Sequence, residues 1–219
     1  MFIFSVKLKK VSSYSFQVLH LILTYNSTLK TVNMQCTWPA NDEQMIAYHD
    51  TEWGTPIHDD KKHFEFIVLD SFQAGLSWKT ILHRRKHFKK AFANFDVKKV
   101  AKFDETMVLE LMQNEGIIRN KLKITGTIKN AKAFIDIQKE FGSFDKYIWQ
   151  FTDYKTIVTK IKNSSEIRAT SLESDAMSKA LKKRGFTFVG STICYAYMQA
   201  AGMINDHLVS CSRHKEVME

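Results

Sequence analysis

The stretch SDAMSKALKKRGFTFVGSTICYAYMQAAGMINDH covers residues 174–207 and contains two helical patterns in direct succession. Ser174 is a residue type that caps helix starts and Gly185 is one that ends helices, so a helix is predicted between them. From Gly190 to Ala201 nearly every residue is apolar, which is typical of a helix buried on all sides. Two adjoining helices without an alternating strand pattern indicate an all-α fold.

Helical patterns also occur upstream of this stretch. Asp59, Ser77 and Asp104 are capping residue types, and each precedes apolar residues that recur at helical spacing. A further helix is predicted after Asn120, whereas residues 152–172 are polar and irregular and are expected to form a loop. The apolar positions expected to face the core are Phe64, Ile67, Val68, Phe72, Ile81, Leu82, Phe88, Phe92, Met107, Val108, Leu111, Met112, Ile124, Ile128, Ala131, Phe134 and Ile135.

The charge balance points to a polyanionic partner. The 219 residues include 32 Lys+Arg against 23 Asp+Glu, a net charge of +9, and a basic protein is attracted to nucleic acid. Basic clusters at 79–90 and 179–184 can neutralise phosphates, although for either cluster alone a solvated helix face is the better explanation. On charge alone, nucleic-acid binding and a basic protein without such a partner both stay open.

Residues 1–33 differ from the rest of the chain because they contain no acidic residue. Their longest apolar stretch, 16–25, is interrupted by polar residues and is too short to span a bilayer. A secretory signal is one alternative, since lysines precede this stretch, but no small-residue cleavage site follows it. We expect a disordered or spurious extension, and translation that begins at Met34 is a further alternative.

The cysteines and histidines indicate a metal site. Three cysteines do not form a secreted disulfide framework, so a reducing cytoplasm is expected, with Cys194 as a core residue of its apolar helix. Cys36 precedes His49 by 13 residues, and His207 precedes Cys211 at a spacing that would place both on one face of a helix. Two thiolates and two imidazoles suit a closed structural Zn²⁺ site. The alternative is a buried thiol at Cys36 and a surface imidazole at His49.

A cluster of aromatic residues points to a pocket for a nucleobase. Trp38, Tyr48, Trp53 and Trp78 lie close together in the sequence, and acidic residues that include Asp70 are interleaved with them. Proteins that act on a base extrude it from the duplex and stack it between aromatic faces. A carboxylate can then accept a hydrogen bond from the exocyclic amine of the base. The alternative is ordinary core packing, which is the usual role of a tryptophan.

The segment 114–120 forms a tight junction between two predicted helices. Gly116 permits close backbone approach, and amides at the start of the next helix can bind a phosphate. Arg119, Lys121 and Lys123 add positive charge. This pattern fits a helix-hairpin-helix turn, although one glycine between two helices has little specificity by itself.

Together these motifs resemble those of the DNA-3-methyladenine glycosylase I family. The strings that carry the resemblance are CTW at 36–38, AYHDTEWG at 47–54, QAGLSW at 73–78, NEGIIRNKLKI at 114–124 and the stretch 174–207. Their order and spacing extend over 34–219, so one methyladenine glycosylase domain with a helix-hairpin-helix fold is expected there. The resemblance also implies one structural zinc ion that joins the N- and C-terminal parts of the domain and is held by Cys36, His49, His207 and Cys211.

The resemblance further implies an activity and the residues that carry it. The family hydrolyses the N-glycosidic bond of 3-methyladenine in alkylated double-stranded DNA, and a monofunctional, monomeric enzyme is expected here. Asp70 and Tyr48 are implied as the catalytic residues, through recognition and electrostatic support of the base. The implied pocket consists of Trp38, Tyr48, Trp53, Asp70 and Trp78. The implied contacts to the DNA backbone come from Gly116, Ile117, Arg119 and Lys121.

One part of the pocket departs from the family pattern. Residues 69–72 read LDSF, whereas the family has leucine, glutamate, glycine and a variable residue, so the carboxylate of Asp70 is one methylene shorter. Hydrogen bonds depend on donor–acceptor distances near about 2.9 Å, so a shorter side chain can change which base is held. Two alternatives therefore stay open, a glycosylase for a different alkylated base and a catalytically inactive DNA-binding homologue.

Overall fold

The computed structural model describes residues 36–218, and the expectation for residues 1–33 lies outside this range. Within it the chain is mostly helical, as predicted. The α-helices are α1 Glu43–Thr51, α2 Asp60–Gln73, α3 Trp78–Ala91, α4 Val97–Val100, α5 Glu105–Gln113, α6 Lys121–Phe141, α7 Phe144–Ile148, α8 Leu172–Lys183, α9 Ser191–Ala200 and α10 Arg213–Glu216. Short 3₁₀ helices occur at Ala93–Phe95, Trp149–Thr152 and Ser164–Glu166. None of the helices in 36–218 has the length and apolar character needed to cross a bilayer.

Two short strands, β1 Ile157–Val158 and β2 Ile204–Asn205, pair in parallel with Ile157 opposite Ile204. β1 and the 3₁₀ helix Ser164–Glu166 lie in the segment 152–172, which was expected to form a loop and is irregular over most of its length. A strand of two residues is too short for an alternating pattern to reveal it. The pairing fixes the chain ahead of the C-terminal pair of candidate metal ligands.

The predicted caps of three helices are confirmed. Asp59, Ser77 and Asp104 precede α2, α3 and α5, and each side chain accepts a hydrogen bond from a backbone N–H of the first turn. These bonds satisfy donors that a helix start otherwise leaves unpaired, and each contributes about 1 kcal/mol. The caps therefore set where α2 and α3 begin, and so the direction in which both helices approach the site described below.

The start of α8 differs from the prediction. Ser171 is the N-cap instead of Ser174, and the helix begins at Leu172. The backbone N–H of Ser174 donates to the Ser171 side chain at 3.2 Å, and the backbone N–H of Ser171 donates to Ser174 Oγ at 2.8 Å. In this capping box both serines satisfy backbone donors, so the residue types alone do not distinguish the outer serine from the inner one. The placement of the cap at Ser174 was therefore wrong.

Helix α2 is central to the hydrophobic core. It packs against α3, α6 and α9, and Phe64 and Phe72 on it are fully buried. Phe64 meets Phe134 of α6 with ring centroids 5.4 Å apart, and Phe72 meets Phe88 of α3 at 4.8 Å. Full burial of such a side chain contributes about 1.5–3 kcal/mol, so these contacts hold α2 firmly in place. The last turn of this helix carries Asp70.

The end of α2 is tied to the start of α6 by Lys123, whose side chain is buried. Its ammonium group donates to the carbonyl oxygens of Phe72 at 2.7 Å and Ala74 at 2.6 Å, which the helix end leaves unpaired. Burial lowers the pKa of Lys123. Lys123 is therefore an internal residue, whereas the sequence suggested a surface charge. Its hydrogen bonds join the helix that follows the junction 114–120 to the end of α2 near Asp70.

Candidate functional site

A cavity of about 190 Å³ lies beside the last turn of α2, and it brings together all five residues that the sequence assigned to a pocket. These residues come from the segment before α1, from α1, from the loop after it, from α2 and from the start of α3. The predicted lining residues are Trp38, Tyr48, Trp53, Asp70 and Trp78. The remaining lining residues, which sequence reasoning missed, are Gln73, Ile167, Ala196 and Gln199.

Four aromatic rings line the cavity. The ring of Tyr48 lies 5.1 Å from that of Trp78, and Trp38 meets Trp53 edge-on at 5.1 Å. The indole Nε1 atoms of Trp38 and Trp78 are buried and have no hydrogen-bond partner among the described residues. Burial and the adjacent carboxyl of Asp70 raise the pKa of the Tyr48 phenol well above its usual value, so the hydroxyl stays a donor. The wall therefore offers flat apolar faces together with unused N–H donors.

Among the described residues, Asp70 is the one acidic residue that lines this cavity, and its side chain is almost completely buried. Oδ2 of Asp70 has no hydrogen-bond partner within the described part of the chain. Burial raises the pKa of this carboxyl well above its usual value, and the positive charge of Arg85 opposes that shift only in part. A buried carboxyl without a partner costs folding free energy, and such groups cluster at functional sites.

An ion-pair network lies behind the cavity and holds three of its helices together. The guanidinium of Arg85 on α3 donates to both carboxylate oxygens of Glu52 at 2.7 and 2.8 Å and to Glu65 on α2 at 2.7 Å. Burial alone would raise the pKa of Glu52, but the hydrogen bonds and charge of Arg85 lower it to about 2. Arg85 therefore points inward and is not part of a basic surface, whereas Lys86 and Lys89 of the same helix remain exposed.

The four candidate metal ligands form a buried cluster. Ligand atoms of Cys36, His49, His207 and Cys211 all lie within 4.8 Å of one another. Nδ1 of His207 is 3.8 Å from each of the two sulfur atoms and 3.1 Å from His49 Nε2, and Sγ of Cys211 is 3.7 Å from His49 Nε2. His207 and Cys211 are not helical as the spacing suggested, since the chain turns between them and Cys211 N–H donates to Leu208 O. A turn of this kind brings the two side chains together as well as a helix would.

The outer nitrogen of each histidine already has a partner. Nδ1 of His49 lies 2.7 Å from a carboxylate oxygen of Asp50, and Nε2 of His207 lies 2.9 Å from the carbonyl oxygen of Trp53. Each outer nitrogen is therefore the N–H donor, which leaves the lone pairs of the two inner nitrogens directed at each other. Two facing lone pairs beside two thiols repel unless a cation lies between them, so this arrangement fits a metal ion.

The metal cluster directly supports the aromatic wall of the cavity. The ring of Trp53 lies 4.6 Å from that of His207 and 5.1 Å from that of Trp38. Trp38 itself follows Cys36 by two positions, and Tyr48 immediately precedes His49 in α1. Any ion that fixes the four ligands thus also fixes three of the five aromatic and acidic residues that were predicted for the pocket.

The junction 114–120 lies on the surface between α5 and α6. A Cβ atom added at Gly116 would lie 2.8 Å from the His87 side chain, so glycine is required here for packing against α3. The side chain of Ile117 is buried, so this residue can contact a ligand only through its backbone. Arg119 and Lys121 are exposed. The junction therefore offers two cations and the backbone amides at the start of α6.

Two of the missed lining residues have a visible signal in the sequence. Gln199 is the one amide side chain of the otherwise apolar helix α9, and Gln73 begins the string QAGLSW that leads to Trp78. A polar residue on a buried helix next to a proposed pocket is a reasonable candidate for ligand contact. Ile167 and Ala196 carry no such signal, because only the folded chain places them at the cavity.

An Asp70→Asn variant is expected to be more stable than the parent chain near pH 8 and equally stable near about pH 4. Burial raises the folded-state pKa above the unfolded value of about 3.9. Below the unfolded-state pKa the carboxyl is neutral in both states and does not lower the stability of the parent chain. As the pH rises through the raised folded-state pKa, the parent chain loses free energy of unfolding. The amide does not ionise, so the difference in Tm between variant and parent should grow with pH in thermal unfolding. A difference that does not change with pH would contradict an unpaired, buried carboxyl.

Comparisons with known proteins agree on one relationship. A family profile described as methyladenine glycosylase matches residues 38–214. A protein of Escherichia coli (strain K12) named DNA-3-methyladenine glycosylase 1 is 48% identical over 177 residues, which cover 81% of this chain and 95% of the relative. A crystal structure of 3-methyladenine DNA glycosylase I matches with a TM-score of 0.80 and 44% identity, over 81% of this chain and 98% of that one. A variant solved in complex with 3-methyladenine matches with a TM-score of 0.79 and 30% identity, over 81% and 95% of the two chains.

Proposed function

The chain belongs to the methyladenine glycosylase family, and we propose that it removes 3-methyladenine from alkylated double-stranded DNA by hydrolysing the N-glycosidic bond. The observation that carries this proposal is the unpaired carboxyl of Asp70 inside a cavity lined by aromatic rings. Alkylation at N3 gives the purine a positive charge. A cationic ring beside Asp70 would favour the ionised form of this buried carboxyl, and its flat faces match the indole faces in shape.

The residues of the cavity act by holding the extruded base. Trp78 and Trp38 stack on the ring, while Asp70 and Tyr48 are the polar groups nearest to it. When the bond between the sugar carbon and the purine nitrogen breaks, the electron pair goes to the purine and neutralises its charge. Water then forms the new bond to the sugar carbon and releases a proton. Because the alkylated base is already a good leaving group, Asp70 supplies recognition and electrostatic support and no strong acid is required.

The proposed cofactor is one structural Zn²⁺ ion at Cys36, His49, His207 and Cys211. A tetrahedral site with bonds of about 2.3 Å to sulfur and about 2.0 Å to nitrogen separates sulfur from nitrogen by about 3.5 Å and the two nitrogens by about 3.3 Å. The corresponding distances in the cluster are 3.7–3.8 Å and 3.1 Å. All four positions are filled by protein ligands, so the ion would stabilise the fold and take no part in the reaction.

We also propose that the junction 114–120 is a helix-hairpin-helix turn that anchors the DNA backbone. The exposed side chains of Arg119 and Lys121 and the amides around Gly116 and Ile117 can contact phosphates, which makes affinity depend strongly on salt. Lys123 links this turn to the end of α2. A phosphate held by the turn would therefore have a fixed position relative to Asp70.

An excision assay tests the proposed function. Double-stranded DNA treated with a methylating agent is incubated with the protein, and released bases are identified by mass. Release of 3-methyladenine is the expected result. Release of only another methylated base would indicate that Asp70 changes which lesion the enzyme accepts. Binding of the alkylated duplex without release of any base would indicate an inactive homologue.

A further inference from the structure

The side chain of Gln199 reaches the cavity from α9, on a part of the wall that residue types and motifs did not predict. Its amide nitrogen Nε2 donates to Oδ2 of Asp206 at 2.7 Å. A hydrogen bond within the protein therefore fixes the Gln199 side chain at the cavity wall, whether or not a ligand is bound. Gln73, the other amide of the lining, has no side-chain hydrogen bond within residues 36–218, so its orientation is not set in the same way.

Asp206 is completely buried and serves as an acceptor for several donors. The hydroxyl of Tyr195 donates to Oδ2 at 2.8 Å, and the hydroxyl of Thr159 lies 2.8 Å from Oδ1. A carboxylate offers acceptors only, so a neighbouring amide must turn its nitrogen toward it. If the Gln199 amide were flipped, its oxygen Oε1 would lie against the carboxylate of Asp206. Two buried acceptors in contact repel each other strongly, so this orientation is excluded.

From this geometry we propose that Gln199 is a specificity-determining residue whose Oε1 is presented to the base as a fixed acceptor, with Asp206 as the positioning residue that sets its orientation. The proposal rests on the proposed function and adds a recognition element to it. Adenine carries an N6 amine donor at the ring position where guanine carries the O6 acceptor. A fixed acceptor at this wall therefore favours 3-methyladenine over 3-methylguanine.

The position of Asp206 explains how this orientation is maintained. Asp206 directly precedes His207, and Thr159 follows strand β1, which pairs with β2. Donors from two separate segments, α9 and the residue that follows β1, thus converge on one carboxylate beside the metal cluster and the cavity. A side chain held from so many directions does not rotate, and a hydrogen-bonding site that cannot rotate discriminates strongly against an analogue that lacks the matching group.

The test compares Gln199→Leu with the matched variant Gln73→Leu. Both remove an amide from the same cavity and keep a side chain of similar length. Alkylated DNA containing both lesions is the substrate, and the ratio of released 3-methyladenine to 3-methylguanine is measured by mass. One lost hydrogen bond predicts a ratio about 2- to 12-fold lower for Gln199→Leu. Gln73→Leu is expected to lower the release of both bases equally and leave the ratio unchanged.

An Asp206→Asn variant tests the positioning role separately. The introduced amide can donate to Oε1, so the Gln199 amide can turn its nitrogen toward the cavity and the ratio should fall as in Gln199→Leu. Metal content is measured in parallel because Asp206 adjoins His207. If Asp206→Asn keeps its metal and its stability but releases 3-methyladenine and 3-methylguanine in a lower ratio, the positioning role is supported. A merely structural residue would change the release rates of both bases together and leave their ratio unchanged.

Binding of the two free methylated bases, followed by tryptophan fluorescence, separates this proposal from the proposed function. If the parent chain releases neither base yet Gln199→Leu loses its preference for free 3-methyladenine, the excision activity is refuted and the role of Gln199 is supported. If Gln199→Leu keeps the parent's preference in both binding and excision, the assignment of Gln199 is wrong while the proposed function stands.

Discussion

A Trp78→Ala variant is expected to release 3-methyladenine from alkylated DNA about 5- to 150-fold more slowly than the parent chain. The indole forms one wall of the cavity and lies 5.1 Å from the ring of Tyr48, so its removal leaves the extruded base without a stacking partner. Stacking of a base on an aromatic side chain contributes about 1–3 kcal/mol, which corresponds to this range of rates. Single-turnover excision with identification of the released base by mass is the measurement.

Two conservative variants make this expectation specific to the cavity. Trp78→Phe keeps an aromatic face and should recover part of the activity. Trp149→Phe alters a buried tryptophan outside the cavity, whose Nε1 donates to Ile57 O at 3.0 Å. It should lower the free energy of unfolding by about 1 kcal/mol and leave excision unchanged. Excision by folded Trp78→Ala at the parent's rate would show that the base binds elsewhere.

Loss of one metal ligand is expected to have the largest effect on stability. A Cys211→Ala variant should contain less than one zinc ion per chain and have a free energy of unfolding lower by about 4 kcal/mol, because loss of a metal belongs to the most destabilising changes. For a domain of this size that corresponds to a fall in Tm of about 8–16 °C. The cluster joins residues near both ends of the described range, 36–218, so its loss also frees Trp53 and Trp38. Excision should therefore fall in the same variant.

The third cysteine provides the control for this experiment. Cys194 is as deeply buried as Cys211, but it lies on α9 outside the four-residue cluster. Cys194→Ala should keep one zinc ion per chain in elemental analysis and retain excision, with only the modest loss of stability that a small core truncation causes. Equal zinc content in Cys211→Ala and the parent chain would remove Cys211 from the proposed site.

Local features of the fold were predictable from the sequence. The caps at Asp59, Ser77 and Asp104 and the buried helix α9 follow from residue type and apolar spacing, which depend on neighbours within one or two helical turns. The one misplaced cap, at Ser174, failed where Ser171 satisfied the same local rule equally well. The candidate pocket residues were found because their residue types are unusual for a surface and match the family resemblance.

Residue types, apolar spacing and motifs were sufficient to predict the helical architecture, the family and five of the nine residues that line the cavity. Long-range packing was needed to reveal that Arg85 and Lys123 point inward, that Asp70 is unpaired in its cavity, and that the amide of Gln199 donates to Asp206. Each of these facts joins residues that are far apart in the chain. The direction of a side chain and its hydrogen-bond partners depend on which distant segments pack against it, and residue type and local spacing do not contain that information.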